Sequence, residues 1–146
     1  MADIVDSSTR SRMMAGIRGS DTRPEISVRR KLHGRGFRFR LHSRNLPGKP
    51  DIVLPRHHAV LFVHGCFWHG HDCRLFKMPQ TRTEFWQAKI SRNRMNDSKV
   101  RDALLTSGWR VGTVWECSLN AKQLDETIER IADWIRSDET TLEVRG

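Results

Sequence analysis

The stretch HGCFWHGHDC, His64 to Cys73, places three histidines, two cysteines and an adjacent Phe-Trp pair within ten residues. Thiolate and imidazole donors suit zinc, which accepts sulfur and nitrogen ligands without geometric strain. Cys66, His71 and Cys73 supply three such donors, and Cys117 is the one further cysteine of the chain. It sits just past a strand-like run that could return beside AVLFV (59–63). Three thiolates and one imidazole would then close a tetrahedral set with no position open to water, the pattern of a structural zinc. The C-x4-H-x-C spacing is not that of a standard zinc finger, and the bland alternative is three buried, inert thiols plus a surface histidine. The zinc reading uses every cysteine and leaves none over.

His64 and His69 remain on the same loop without a structural task. Upstream, GKPDIVL puts Asp51, preceded by Pro50, at the start of a strand, with a second strand about ten residues later. That is the layout of the PD-(D/E)xK nuclease core. A carboxylate at the mouth of two strands can hold Mg²⁺, which prefers oxygen ligands. The ion would polarise a phosphodiester while a histidine, titrating near neutral pH, activates water. The acidic-x-Lys half of that motif is missing. VHG (63–65) stands there instead, and of Val63 only the backbone carbonyl can serve a metal. Asp51 as a simple turn cap is the competing reading.

These residues need a scaffold. TRPEISVRRKLHGRG begins with Thr22 as N-cap, Pro24 in the first turn and Glu25 in capping-box spacing, and Gly34 and Gly36 end that helix. FRFRL (37–41) alternates as a half-buried strand, and DIVL (51–54) with AVLFV (59–63) predicts a hairpin. Thr81 and Glu84 open a long basic helix that Gly108 closes, WRVGTVWEC (109–117) is a further strand, and Asn120 with Gln123 starts a last helix. Leu124, Ile128, Ile131 and Ile135 form its buried stripe. The order predicts an α/β fold, a mixed sheet with helices on its faces. Trp109, Trp115 and Trp134 are expected in the core, whereas Phe67, Trp68 and Trp86 stand among polar and basic neighbours. A core reading competes for Phe67 and Trp68.

The 146 residues fit one domain, and a net charge of +9 with Lys and Arg spread along the chain favours a polyanion such as nucleic acid. The longest apolar runs fall far short of the ~20 residues of a membrane span. The first residues carry no positively charged start leading into an apolar run, so a reducing cytoplasm is expected, and with it free thiols.

LPGKPDIVLP, LFVHGCFWHGHDC and TRTEFWQAKI together, with TRSRMMAGIR and GWRVGTVWEC, resemble the very short patch repair (Vsr) DNA mismatch endonucleases over nearly the whole chain. The resemblance implies a restriction-endonuclease-like fold with a structural zinc, in which an arm (1–20) contacts DNA and 21–146 form one nuclease domain. It implies Mg²⁺-dependent nicking of a bacterial duplex on the 5′ side of the thymine in a T·G mismatch, the product of deaminated 5-methylcytosine. Asp51 would hold Mg²⁺ with the Val63 carbonyl, His69 would be the base and His64 a second active-site histidine. Glu25 and Asp97 would be supporting acids. Phe67, Trp68 and Trp86 would intercalate, with Met14 and Ile17 pressing from the opposite groove, and Lys89, Arg92 and Arg94 would meet phosphates. A monomer that hands its product to downstream repair proteins is expected. The rivals are a zinc-stapled binding module without chemistry and a related Mg²⁺ nuclease with another target.

Overall fold

Two short apolar runs form the centre of the molecule because each is buried on both faces. β2 (Ile52–Leu54) and β3 (Ala59–His64) are buried at every position. They pair antiparallel across the 3₁₀ turn Pro55–His57, with Ile52 opposite Leu61. The computed structural model describes residues 22–146. Around the hairpin lie α1 (Arg23–Gly34), β1 (Arg40–Leu41), α2 (Thr83–Thr106), β4 (Arg110–Trp115), α3 (Leu124–Arg136) and β5 (Thr141–Val144). The sheet runs β1-β2-β3-β4-β5 and is mixed: antiparallel through β3, parallel from β3 to β5. This is the expected restriction-endonuclease-like α/β architecture.

The two-residue period of the strands sorts the core into two layers. Ile52, Leu54, Leu61, Val63 and Val114 pack with Val28 and Leu32 of α1 and with Ile128, Ile131 and Ile135 of α3. Val53, Val60, Phe62 and Val111 face the other way, onto Leu104 of α2. The same alternation turns His64, which continues the Phe62 row, toward α2. Pairing of β3 with β4 is in parallel register, Val63 opposite Val114 and His64 opposite Trp115. The end of β4, and with it Cys117, therefore arrives beside the start of the His/Cys loop.

Several boundaries differ from expectation. In FRFRL the burial alternation holds, with Phe37 buried and Phe39 half-buried, but only Arg40–Leu41 are strand. Thr22 caps α1 as expected, accepting from Glu25 N at 3.4 Å. Thr81 does not cap α2: that helix starts at Thr83, and its N-cap Arg82 is left-handed at φ 57°. Asn120 and Gln123 do bond to each other, but on the turn ahead of α3. β5 was not expected. Trp134 is in the core, whereas Trp109 and Trp115 are half-buried. Trp109 stacks on His58 and Trp115 on His71. Met14 and Ile17, with the arm, lie outside the described residues.

Gly112 marks the tightest point of the sheet. A Cβ there would stand 2.6 Å from Leu61 Cδ2 and 3.0 Å from the Trp134 ring, and both neighbours are buried and cannot yield. Gly112→Ala is therefore expected to lose about 1–3 kcal/mol in urea unfolding; unchanged stability would show that this packing is looser than drawn.

Candidate active site and metal centre

The loop after β3 is held by short-range bonds of its own. His69 N donates to Gly65 O, Gly70 N to Phe67 O, and His71 N to Cys66 O. Two contacts fasten it to α2. Asn93 Nδ2 donates to Trp68 O at 2.8 Å, and Gly70, at φ 61°, lets the backbone come so close that a Cβ would meet Ile90 and Arg94. Cys66 N donates to Glu116 Oε1 at 3.3 Å, tying the loop to the end of β4.

In that setting Cys66, His71, Cys73 and Cys117 bring one donor atom each within 4.8 Å of one another. His71 Nδ1 lies 3.5 Å from Cys117 Sγ. Two donors at about 2.0 and 2.3 Å from one tetrahedral ion would be about 3.5 Å apart. The electrostatics also fit. Burial, with the neighbouring thiols, pushes the Cys66 thiol up. Burial acts against Cys73 too, but the Leu75 N–H and the flanking thiols outweigh it and draw that thiol down. Burial, aided by Arg145, lowers His71 and favours the neutral, ligating imidazole. Such a thiol cluster needs a cation to carry several negative charges at once. Gly146 N donates to Cys117 Sγ at 3.2 Å, the kind of support a thiolate receives. The four residues fit a metal ion.

Beside this centre opens a cleft of about 940 Å³ lined by Glu25, Asp51, Val63, His64, His69 and Asp97, together with Trp68 and Lys89. Asp51 Oδ2 accepts from Val63 N at 2.6 Å. The amide and carbonyl of one strand residue point to the same edge, so the Val63 carbonyl lies on the Asp51 side. Burial, opposed by the Val63 N–H and reinforced by Glu25, raises the Asp51 carboxyl to about 7. These oxygen donors fit a hard divalent cation. Across the cleft, His69 Nδ1 meets Asp97 Oδ2 at 2.5 Å, and the His64 and His69 rings stack 3.8 Å apart, 5° from parallel. Burial, with His69 adding to it, lowers His64 to about 3, so it is neutral. Its Nδ1 is buried without a hydrogen-bond partner among the described residues.

His42 is the residue that sequence reasoning missed. Its Nε2 lies 2.9 Å from Glu25 Oε2, and Glu25, His42 and Asp51 form a second cluster of donors within 4.8 Å. A lone histidine after an alternating run gives no local sign of partners in distant elements.

Phe67, Trp68 and Trp86 come together, half-buried. Their ring centroids are 5.2–5.8 Å apart, and the three belong to neither core layer. Of the three basic residues singled out on α2, Lys89 lines the cleft and Arg92 and Arg94 are exposed. No helix among the described residues is long and apolar enough to cross a membrane.

A family model described as DNA mismatch endonuclease Vsr matches residues 2–75. The chain belongs to the Vsr family of DNA mismatch endonucleases. It is similar to DNA mismatch endonuclease Vsr of Escherichia coli, 46% identical over 138 residues that span 92% of this chain and 88% of the relative. It is 49% identical over 120 residues to the type II nicking enzyme V.XorIIP of Xanthomonas oryzae, covering 82% of this chain and 88% of that one. The type II nicking enzyme V.NmeAIP of Neisseria meningitidis is 43% identical over 124 residues, covering 85% and 89%. As a family member the protein is a DNA endonuclease, a hydrolase of DNA repair.

The metal centre has a direct check. Cys73→Ala is expected to bind well under one equivalent of metal per chain and to melt lower than wild type in the same buffer. One full equivalent in that variant, measured by elemental analysis, would show that the ligand set is wrongly assigned.

Proposed function

We propose that the protein nicks duplex DNA on the 5′ side of the thymine in a T·G mismatch, using Mg²⁺ at Asp51, and that the Cys66–His71–Cys73–Cys117 centre holds a structural zinc. The observation that carries the reading is one shared cleft. It sets a metal-competent carboxylate, a carboxylate-held histidine and Trp68, whose ring packs with Phe67 and Trp86, side by side.

Asp51 and the Val63 carbonyl would hold Mg²⁺, whose charge would polarise the scissile phosphate and stabilise the leaving oxygen. Asp97 fixes the His69 tautomer by accepting from Nδ1, which leaves Nε2 free to take a proton from water. The water oxygen bonds to phosphorus as the P–O3′ bond breaks, giving a 3′-hydroxyl and a 5′-phosphate. Neutral His64 stands beside His69 as a phosphate-facing donor, and Glu25 supports the Asp51 pole. Phe67, Trp68 and Trp86 enter the base stack at the mismatch, where unstacking costs least, and Met14 and Ile17 press from the other groove. Held between a metal centre and α2, the aromatic loop loses little entropy on insertion. Lys89, Arg92 and Arg94 meet the backbone, which positions the duplex without reading it. A cytoplasmic monomer passing a nicked strand to downstream repair proteins completes the proposal.

On a labelled duplex with Mg²⁺, wild type is expected to cut the T·G version and spare T·A and C·G controls. Asp51→Ala should lose at least about a hundredfold in rate while still binding the duplex. Binding without cutting by wild type would remove the nuclease reading, and equal cutting of all three duplexes would remove mismatch specificity. The Asp51 carboxyl, raised to about 7, adds a pH signature. Below that pH a cation must displace its proton, so half-saturating Mg²⁺ should rise about tenfold per pH unit and level off above it. A Mg²⁺ requirement that is flat from about pH 6 to 8 would contradict Asp51 as the ligand.

A further inference from the structure

Glu25 is a carboxylate with 5% of its side chain exposed, at the first turn of α1. A buried carboxylate has a defined direction only if donors hold it. His42 supplies one such donor, Nε2 at 2.9 Å from Oε2. The backbone at His42 is itself unusual. It would be the next pair of the β1–β2 ladder, opposite Asp51, and its N–H does donate to Asp51 O at 3.2 Å. Yet its φ is +48°, in the left-handed region that residues with a Cβ rarely enter. One residue is thus tied by its amide to the Asp51 backbone and by its ring to the Glu25 carboxylate. A strained residue so anchored is poorly explained by packing: its side chain is 27% exposed and belongs to neither core layer.

We propose that His42 is a positioning residue that fixes the Glu25 carboxylate against Asp51, so that the two acids form a ready seat for the divalent cation. Glu25 and Asp51 line the cleft and His42 is not among its lining residues, so His42 acts through Glu25. A held outer partner of this kind raises cation affinity because the carboxylate need not be oriented when the ion binds. The imidazole also offsets the repulsion between two converging carboxylates. The inference rests on the reading of Asp51 as the cation's ligand.

The test is direct cation binding. Mn²⁺ is titrated by electron paramagnetic resonance into the full-length protein bound to a T·G duplex with a non-hydrolysable linkage. Wild type, His42→Ala, His42→Gln and Asp51→Ala are compared, with melting temperature and duplex affinity in chelator measured alongside. His42→Ala is expected to bind Mn²⁺ about 10–100-fold more weakly, with melting temperature and chelator-state duplex affinity near wild type. His42→Gln, whose amide N–H can reach the same carboxylate oxygen, should recover most of the loss. Wild-type Mn²⁺ affinity in His42→Ala overturns the proposal, as does a His42→Gln variant no better than His42→Ala. Asp51→Ala separates the two levels. If it loses Mn²⁺ while His42→Ala does not, only the role of His42 falls; if it binds Mn²⁺ normally, the cation seat itself is misplaced and the proposal goes with it.

Discussion

The parallel pairing of β3 with β4 is the constraint on which the rest depends. Six residues of each strand are in register, from Ala59 opposite Arg110 to His64 opposite Trp115. Each pair beyond the middle of the ladder has a consequence at the site. Val63 ends a buried row and offers its amide to Asp51. His64 enters the cleft, Cys66 starts the loop, and Cys117 emerges two residues past Trp115, within reach of His71. A one-residue slip would turn His64 away from α2 and carry Cys117 out of the donor set. The hydrophobic layers prevent it, because the same slip would exchange the two core faces.

The Cys/His cluster and the cleft are coupled through the short chain segment between them. Residues 64–73 alternate between the two: His64 and His69 face the cleft, Cys66, His71 and Cys73 converge with Cys117, and Phe67 and Trp68 join Trp86 of α2. Ten residues cannot satisfy three partners unless their backbone is rigid. The loop's own hydrogen bonds, the Asn93 anchor and the Gly70 close approach supply that rigidity. Trp115 joins the two functions physically, stacked on His71 and edge-on to His64.

How much of this could be read from the sequence depended on whether the signal was local. The hairpin was legible because Ile52–Leu54 and Ala59–Val63 are apolar runs bounded by Pro55 and a polar turn. The α3 stripe was legible from the spacing of Ile128, Ile131 and Ile135. The convergence of Cys66, His71, Cys73 and Cys117 was legible because three crowd into eight residues and a single cysteine remained to complete them. What failed needed a partner elsewhere. TLEV (141–144) is half polar and becomes strand only by pairing with β4. Thr81 looked like a cap, but Thr83 begins α2 with its hydroxyl donating back to Pro79 and Gln80 carbonyls. Trp109 and Trp115 looked like core; both are half-buried, Trp109 packed against the second core layer and stacked on His58, Trp115 stacked on His71. His42 carried no local mark at all, since its two partners lie on α1 and at the mouth of β2.

In the proposed function, a carboxylate at the mouth of β2 and an imidazole on the loop after β3 act on one phosphodiester. Crystals of the protein with an uncleavable T·G duplex and Mn²⁺, measured at the manganese absorption edge, test it most directly. An anomalous peak is expected within coordination distance of Asp51 and of one oxygen of the phosphate 5′ to the mismatched thymine, with His69 Nε2 on the opposite side of that phosphorus. A manganese peak remote from Asp51, or a phosphate at that step beyond the reach of His69, would contradict it.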